Sequence, residues 1–275
     1  MSKIHPTAIV DAGAQLGDDV EIGPYCIVED GVTLGAGTVL RSGVVIRRYT
    51  TMGQGNFVDS HTVIGGDPQD FKFDPKQVSY VRIGDHNIIR EYVTISRATG
   101  EGNTTVVGNN TMWMASAHAG HNAVIEDNVI LVNGSAVGGH ATVGTGAILS
   151  AHALVHQFCW IGRNVMTQGQ SGFSTHVAPF TLCANINCCV GLNAIGLRRN
   201  PKVTEKDRAE VKEAFKLVYR RHLSAKESLA AMDAHTEWGW AASEFRQFIR
   251  NVREARKPHN RGLCPLRRRV MTGEE

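Results

Sequence analysis

The sequence predicts a mainly β protein: a parallel β-helix of hexapeptide repeats followed by a C-terminal α-helical domain. Three observations support this prediction. Large apolar residues recur at every sixth position, two short segments interrupt that period, and the pattern becomes helical after residue 200. We therefore expect a β-helix over residues 1–200, with external loops near residues 66–82 and 97–106, and a helical domain with a basic tail over residues 201–275.

The six-residue period is the strongest of these signals. It begins with eleven consecutive matches: Ile4, Val10, Leu16, Ile22, Val28, Leu34, Leu40, Ile46, Met52, Val58 and Ile64. An α-helix would repeat every 3.6 residues and a single amphipathic strand every two residues. A period of six instead fits a solenoid in which three hexapeptides form a triangular coil of about 18 residues. Such coils are stabilised by stacking on their neighbours.

Glycine and asparagine are expected at the sharp corners of the coils, where the backbone adopts a positive φ that costs little energy only for these residues. Five glycines directly follow an apolar residue of the period: Gly17, Gly23, Gly35, Gly53 and Gly65. The other expected corner residues are Gly55, Asn109, Asn128 and Asn164.

The two interruptions of the period are candidate binding loops. Insertions leave a solenoid as external loops, often on its binding face, and long ordered loops are often functional. The first interruption, GDPQDFKFDPKQVSYVR, carries Asp70 and Lys72 between two prolines. We expect these two side chains to contact a ligand.

The helical domain begins with Thr204 as a helix cap, ahead of an apolar stripe that includes Val211 and Phe215. Ser224 and Glu227 match a capping box for a second helix. The 75 residues from position 201 hold 17 Lys and Arg against 11 Asp and Glu. This domain is expected to cover the open end of the β-helix. The tail after Pro258, which contains Arg267, Arg268 and Arg269, is expected to be loosely ordered.

The histidines cluster in the central coils and suggest a reactive site. They are His118, His121, His140, His152 and His156. At about 18 residues per coil, residue 121 stacks on residue 139, which brings His121 close to His140. A neutral imidazole can act as a general base at pH 7. A backbone N–H, here that of Gly139, can stabilise an oxyanion. Histidines that only pack at the surface or between subunits are the alternative.

Seven segments carry a resemblance to one family. In order they are HPTAIV, GDPQDFKF, REYVTISR, AHAGHNAVI, GGHATV, VHQFCWIG and GLNAIGLRRN. Together they resemble the UDP-N-acetylglucosamine O-acyltransferases of lipid A biosynthesis, which are hexapeptide-repeat transferases. The resemblance implies a left-handed β-helix and a homotrimer. It also implies transfer of a 3-hydroxyacyl chain from acyl carrier protein to the glucosamine 3-position of UDP-N-acetylglucosamine.

The resemblance also implies roles for individual residues. His121 matches the catalytic base and Gly139 the oxyanion donor. Gly169 lies where the family measures chain length, and a glycine there implies a longer chain. The implied substrate contacts are Asp70, Lys72, His118, His140, His156, Gln157, Asn193 and Arg199. The basic helical domain is expected to dock acyl carrier protein through Arg198, Arg199, Lys202, Arg220 and Arg221.

This sequence departs from the family pattern at two positions near the expected site. Asn122 stands where Asp is common, directly after the expected base, and Ser96 stands where His is common. Asn122 can only orient the imidazole, through its carbonyl oxygen, without the charge that a carboxylate would add. We therefore expect a weaker base, or orientation of the ring by another group.

Four other functions remain open for this sequence. They are transfer onto a 3-amino analogue of the sugar, the later N-acyltransferase of the pathway, a zinc enzyme of the γ-carbonic anhydrase type, and a non-catalytic trimeric scaffold.

Composition limits the remaining possibilities. No apolar run approaches the ~18 residues of a membrane span, and the N-terminus has no apolar signal segment. The six cysteines show no CxxC spacing and are expected to be reduced. We therefore expect a cytoplasmic protein with no membrane span, no nucleic-acid partner, no cofactor and no metal ion.

Overall fold

The computed structural model describes residues 2–235 and 237–267. It confirms the expected fold class, a left-handed parallel β-helix followed by helices. Short strands visit the three faces of a triangular prism in rotation, and each face is one sheet. The strands are parallel except at the end of the first face, where Cys188–Leu192 pairs antiparallel with Thr181–Ala184.

The strands of the first face are Lys3–Ile4, Glu21–Ile22, Val39–Leu40, Phe57–Val58, Ile88–Ile89, Met112–Trp113, Ile130–Leu131, Ile148–Leu149, Met166–Thr167, Thr181–Ala184 and Cys188–Leu192. The strands of the second face are Ile9–Val10, Ile27–Val28, Val45–Ile46, Val63–Gly66, Thr94–Ser96, His118–Ala119, Ala136–Val137, Leu154–Val155 and Gly172–Phe173. The strands of the third face are Gln15–Leu16, Thr33–Leu34, Thr50–Met52, Tyr80–Ile83, Thr104–Val107, Val124–Ile125, Thr142–Val143 and Trp160–Ile161.

The register confirms the 18-residue coil. Ile4 pairs with Ile22, and Ile22 pairs with Leu40. The second residue of each two-residue strand points into the prism, so Ile22 and Leu40 are buried on the same face of successive coils. Ile4 remains 46% exposed because the first coil has a neighbour on one side only. The core is therefore a stack of aliphatic layers that protects every coil except the terminal one.

The corner residues differ from those expected. The positive φ recurs three residues after most of the inward aliphatic residues, as at Gly55, Asn128 and Asn164. Asn109 is not one of these corner residues, because the positive φ falls on Asn110. The same conformation is adopted at Asn122 and His140, with φ of 60° and 58°.

Glycines that directly follow an aliphatic residue have a different function from the one expected. Gly35 has no positive φ, but a Cβ added to it would lie 2.4 Å from the carbonyl carbon of Gly53 in the next coil. Gly17, Gly23 and Gly53 are also outside the positive-φ region, whereas Gly65 lies within it. Glycine is needed at these positions because the backbones of adjacent coils touch there.

Both insertions are shorter than expected at their C-terminal ends. Tyr80–Ile83 already pairs with Thr50–Met52, so the first external loop covers residues 67–79. Thr104–Val107 pairs with Tyr80–Ile83, so the second covers residues 97–103. The two loops pack side by side. Gly100 N donates to Gln77 Oε1 at 3.1 Å, and so the insertions form one structure beside the prism.

Four helices follow: α1 Ala194–Arg199, α2 Glu205–Tyr219, α3 Ala225–Asp233 and α4 Trp240–Glu254. α1 lies inside the range assigned to the β-helix, which makes the expected start of the helical part too late. Thr204 caps α2 in a capping box with Asp207, and Ser224 caps α3 in one with Glu227. None of the described helices combines the length and hydrophobicity needed to cross a membrane.

The expectation of a loose tail is wrong for the residues described here. Cys264 is fully buried and its N–H donates to His176 O at 2.7 Å, while His176 N donates to Gly262 O at 2.8 Å. The chain thus returns from α4 and pairs with the last coils of the β-helix. Arg268 and Arg269 lie outside the described residues.

Candidate active site

Three successive coils place polar and aromatic side chains at the corner where the second face turns into the third. The residues at this corner, here called the corner column, are Asn122, His140 and Phe158. His121 precedes Asn122, and its ring centre lies 5.1 Å from that of His140, with the planes at 87°. The proximity of these two histidines, predicted from the coil length, is confirmed.

The tautomer of His121 follows from its neighbours. Asn122 Oδ1 accepts from Thr99 N at 2.9 Å, and Asn122 Nδ2 donates to Thr99 O at 3.1 Å, so the amide can point only one way. The same Oδ1 lies 2.9 Å from His121 Nδ1. Because an amide oxygen only accepts, Nδ1 of His121 must carry the proton. Its Nε2 therefore has a free lone pair and is available as a base.

Asn122 adopts the backbone conformation of the corner and also contacts the ring of His121. Asparagine tolerates the positive φ of this corner better than most residues. An aspartate would lose the donor to Thr99 O, whereas asparagine uses both ends of its side chain. The amide can therefore orient the imidazole through its carbonyl oxygen, as expected from the sequence.

The double glycine before His140 lets the ring of His121 lie against the backbone. A Cβ on Gly139 would be 2.8 Å from both Cε1 and Nε2 of His121. A Cβ on Gly138 would instead be 2.6 Å from Gln157 N in the following coil. Gly139 is buried, and its N–H donates to no other described residue. A ligand oxygen is therefore a suitable acceptor for this N–H.

Burial lowers the pKa of two histidines near this corner. It lowers the pKa of His140, helped by the nearby His121 and His259, while Asp70 raises it in part. Asp70 of the first loop is thus within electrostatic reach of this corner. His118 lies on the second face with Nδ1 2.8 Å from Thr94 Oγ1, and burial lowers its pKa as well.

Three other residues expected to contact the substrates, His156, Gln157 and Gly169, lie in coils that follow that of His140. His156 and Gln157 are exposed in the coil of Phe158. Gly169 lies at the opposite edge of the second face, just before the strand Gly172–Phe173. Gly169 is thus separated from the corner column by the width of the second face. It could limit the length of an acyl chain only if that chain ran along this face.

Asn193 and Arg199 do not join His121 within one chain. Asn193 caps α1 by accepting from Gly196 N at 2.9 Å, and it donates to Asn164 O at 3.0 Å. Asn164 is a corner residue between the third and first faces. Arg199 is exposed at the end of α1. Both residues therefore lie at another edge of the prism.

Arg97 is a buried residue of the second loop that the sequence did not single out. Its Nε lies 3.0 Å from Asp67 Oδ1, its Nη1 donates to Gln77 O at 2.7 Å, and its guanidinium lies 4.7 Å from the centre of the Phe73 ring. Arg97 thus pins the first loop, which carries Asp70. Since its three contacts come from a neighbouring insertion, no local sequence pattern reveals it.

Comparison with known proteins identifies relatives over the whole chain. A family model described as "Udp N-acetylglucosamine O-acyltransferase; Domain 2" matches residues 177–264, and one for the bacterial transferase hexapeptide matches residues 1–35 and 13–48. The acyl-[acyl-carrier-protein]–UDP-N-acetylglucosamine O-acyltransferase of Gloeothece citriformis is 43% identical over 71% of this chain and 69% of its own length. The protein of the same name from Janthinobacterium is 40% identical over 96% of this chain and 99% of its own.

A solved structure of a UDP-N-acetylglucosamine O-acyltransferase is also similar to this chain. The crystal structure of UDP-N-acetylglucosamine O-acyltransferase from Moraxella catarrhalis matches with a TM-score of 0.87 at 36% identity, and covers 95% of this chain and 99% of that one. The match includes the β-helix and the helices that follow it. This chain belongs to the UDP-N-acetylglucosamine O-acyltransferase family.

Proposed function

We propose that this protein transfers a 3-hydroxyacyl chain from acyl carrier protein to the glucosamine 3-position of UDP-N-acetylglucosamine, the first step of lipid A biosynthesis. The observation that carries this proposal is the pairing of His121 with Gly139. Nε2 of His121 has a free lone pair, and it lies beside a backbone N–H that no described residue accepts from. Acyl transfer needs these two groups, a base and an oxyanion donor, in one place.

In the proposed reaction His121 transfers the proton and Gly139 stabilises the oxyanion. Nε2 of His121 takes the proton of the sugar 3-hydroxyl while its oxygen attacks the thioester carbonyl. The carbonyl oxygen becomes an oxyanion that accepts a hydrogen bond from the Gly139 N–H. When the intermediate collapses, the carbon–sulfur bond breaks and the leaving thiolate takes the proton from the imidazolium. His121 returns to its neutral form, held by Asn122.

We assign the remaining expected residues to substrate positioning. Asp70 and Lys72 would approach the substrates from the first loop, and His118, His140, His156 and Gln157 would line the site from the prism. Gly169 would leave the acyl groove open for a longer chain. Its Cβ position lies 3.3 Å from Ala151 O, so a larger residue there would be crowded by the backbone of the preceding coil.

A homotrimer would complete the site. Asn193 and Arg199 lie at another edge of the prism, so their proposed contacts with the nucleotide require a neighbouring copy. The second face also exposes outward apolar side chains, with Ile9 61% and Leu154 54% exposed. Exposed apolar patches of this kind favour self-association. Light scattering should give three times the chain mass of 29.9 kDa.

Acyl carrier protein is proposed to dock on a basic groove between α1 and α2. This groove has a volume of about 360 Å³ and an apolar floor that includes Leu197 and Phe215. Five cations line it: Arg198, Arg208, Lys212, Lys216 and Arg220. Such a surface is complementary to an acidic carrier. Of the residues expected from the sequence, Arg199, Lys202 and Arg221 do not line this groove, and Arg221 pairs with Glu213 at 2.6 Å.

The cytoplasm is the proposed compartment. All six cysteines are free thiols, five of them buried, which suits a reducing environment.

A transfer assay tests the proposed function. Purified protein would be given carrier proteins loaded with 3-hydroxyacyl chains of several lengths, and either UDP-N-acetylglucosamine or its 3-amino analogue. We expect an ester product on the 3-hydroxy sugar, with longer chains preferred. An amide product alone would assign the 3-amino acceptor. Stoichiometric zinc on the purified protein, or no transfer at all, would favour the anhydrase-like or scaffold alternatives. Replacing Lys212 with Glu should raise the Michaelis constant for the carrier.

A further inference from the structure

The corner column continues into the C-terminal segment. His259 packs edge-on against Phe158, with 5.4 Å between ring centres, and stacks on Trp160 at 5.3 Å. Its Nδ1 lies 3.1 Å from Phe158 O, and since a carbonyl only accepts, Nδ1 carries the proton. Residues near the end of the chain therefore extend the column that begins beside His121.

A fully buried histidine holds this segment in place. His176 Nδ1 accepts from Trp160 N at 3.0 Å, so its Nε2 carries the proton and donates to His259 O at 2.6 Å. Burial lowers the pKa of His176, with further lowering by the charges of His259 and Arg261. The backbone of His176 also pairs with Gly262 and Cys264. This double attachment fixes the position of the residues between them.

Arg261 has an unused donor at the end of the column. Its guanidinium carbon lies 5.7 Å from the centre of the Phe158 ring. Its Nε is shielded from solvent and has no hydrogen-bond partner among the described residues. A buried charged donor without an acceptor is unfavourable, which indicates an acceptor from outside the chain.

The surroundings of Arg261 favour an anion. His259 and His176 lie beside it, and His140 is one coil further along the column. Asp70 is the one carboxylate among the charged groups that act on His140. Both ring nitrogens of His176 are already bonded and Nδ1 of His259 donates to Phe158 O, so among the described residues it is Arg261 Nε that can donate to an anion here.

We propose that Arg261, held in place by the segment that contains His259, forms a phosphate-binding subsite at the end of the corner column. Phe158 is two coils from His121, a separation of about 10 Å at the ordinary strand spacing. The subsite rests on the proposed function, because both proposed substrates carry a phosphate: the diphosphate of the nucleotide sugar and the phosphodiester of the phosphopantetheine arm. A guanidinium suits either of these groups.

The test compares Arg261→Gln with a matched control, Arg267→Gln, which removes an exposed cation from the same segment. The Michaelis constant of each substrate is measured with the other saturating. Arg261→Gln should raise one of the two constants on the order of tenfold or more, as expected for a lost bond to a charged group. The turnover number should change much less, and Arg267→Gln should behave as the wild type.

Two binding measurements identify the source of the phosphate. If the donor carries it, wild-type protein should bind acyl-phosphopantetheine more tightly than acyl-pantetheine, and Arg261→Gln should bind the two equally. If the nucleotide carries it, calorimetry should show weaker binding of UDP-N-acetylglucosamine by the variant. Arg261→Lys should restore part of the loss in either case.

Different results would reject the transfer reaction and the phosphate-binding subsite. Absence of transfer by the wild type would reject the proposed function, yet the binding measurements would still test the subsite. Unchanged affinity of a folded Arg261→Gln variant for all these ligands would overturn the subsite. So would a smaller oligomer mass for this variant with unchanged affinities, because Arg261 would then bind a neighbouring copy.

Discussion

Asn122 Oδ1 lies 2.9 Å from His121 Nδ1, and the same side chain is held at both ends by the backbone of Thr99. The second insertion, which contains Thr99, therefore determines the tautomer of the proposed base. The amide carries no charge, and the ring remains oriented because Thr99 prevents the amide from rotating.

Replacing His121 with Ala should lower kcat/KM on the order of 10²-fold or more, as expected when a general base is removed. The control is His152→Asn, at an exposed corner with φ of 56°, where asparagine tolerates the backbone. Steady-state transfer rates of both variants check the prediction. Equal transfer rates of His121→Ala and wild type would exclude His121 as the general base.

Asn122→Asp should move the acidic limb of the kcat/KM profile to higher pH. A carboxylate beside His121 favours the imidazolium, so the neutral base is lost at a higher pH than in the wild type. The variant also loses the hydrogen bond to Thr99 O, which should lower the free energy of unfolding by about 1 kcal/mol. Rate profiles from pH 5 to 9 and urea unfolding measure the two effects. An unshifted acidic limb would show that residue 122 has no electrostatic influence on the base.

Arg97→Met should release the first loop from the second. The variant leaves Asp67 and the Gln77 carbonyl without their shared donor, at a cost of roughly 2–4 kcal/mol. Michaelis constants should rise because Asp70 and Lys72 are carried by the released loop. Thermal unfolding and steady-state kinetics check both parts, with Arg97→Lys as the charge-preserving control. A variant with lower stability but unchanged Michaelis constants would separate the loop from substrate binding.

The protein should lose stability as the pH falls below about 6.5, the ordinary value for histidine. Burial lowers the pKa of His118, so the folded state gains its proton at a lower pH than the unfolded chain does. Stability from the neutral ring is thus complete above the unfolded value and declines as the pH falls toward the folded one. His118→Asn, which can keep a hydrogen bond to Thr94, should show a smaller drop in Tm between about pH 7 and 5. An identical drop in both proteins would exclude His118 as a contributor.

The six-residue period predicts the repeat and, through it, which residues meet at the candidate site. A strict period of six fixes the 18-residue coil, and this coil alone places His121 next to residues 139 and 140. It also located both insertions to within a few residues at their start. Their ends were misjudged because Tyr80–Ile83 and Thr104–Val107 return to the ladder before the six-residue pattern becomes visible.

The contacts that join distant parts of the chain are visible only in the folded protein. The amide of Asn122 is oriented by Thr99, 23 residues earlier, and the C-terminal segment reaches Phe158 across 101 residues. Neither contact leaves a periodic pattern, because each depends on where an insertion or a chain end folds back onto the prism. The repeat therefore predicts which coils meet at the His121 corner, and only the folded chain shows how Thr99 and the tail residues His259 and Arg261 complete it.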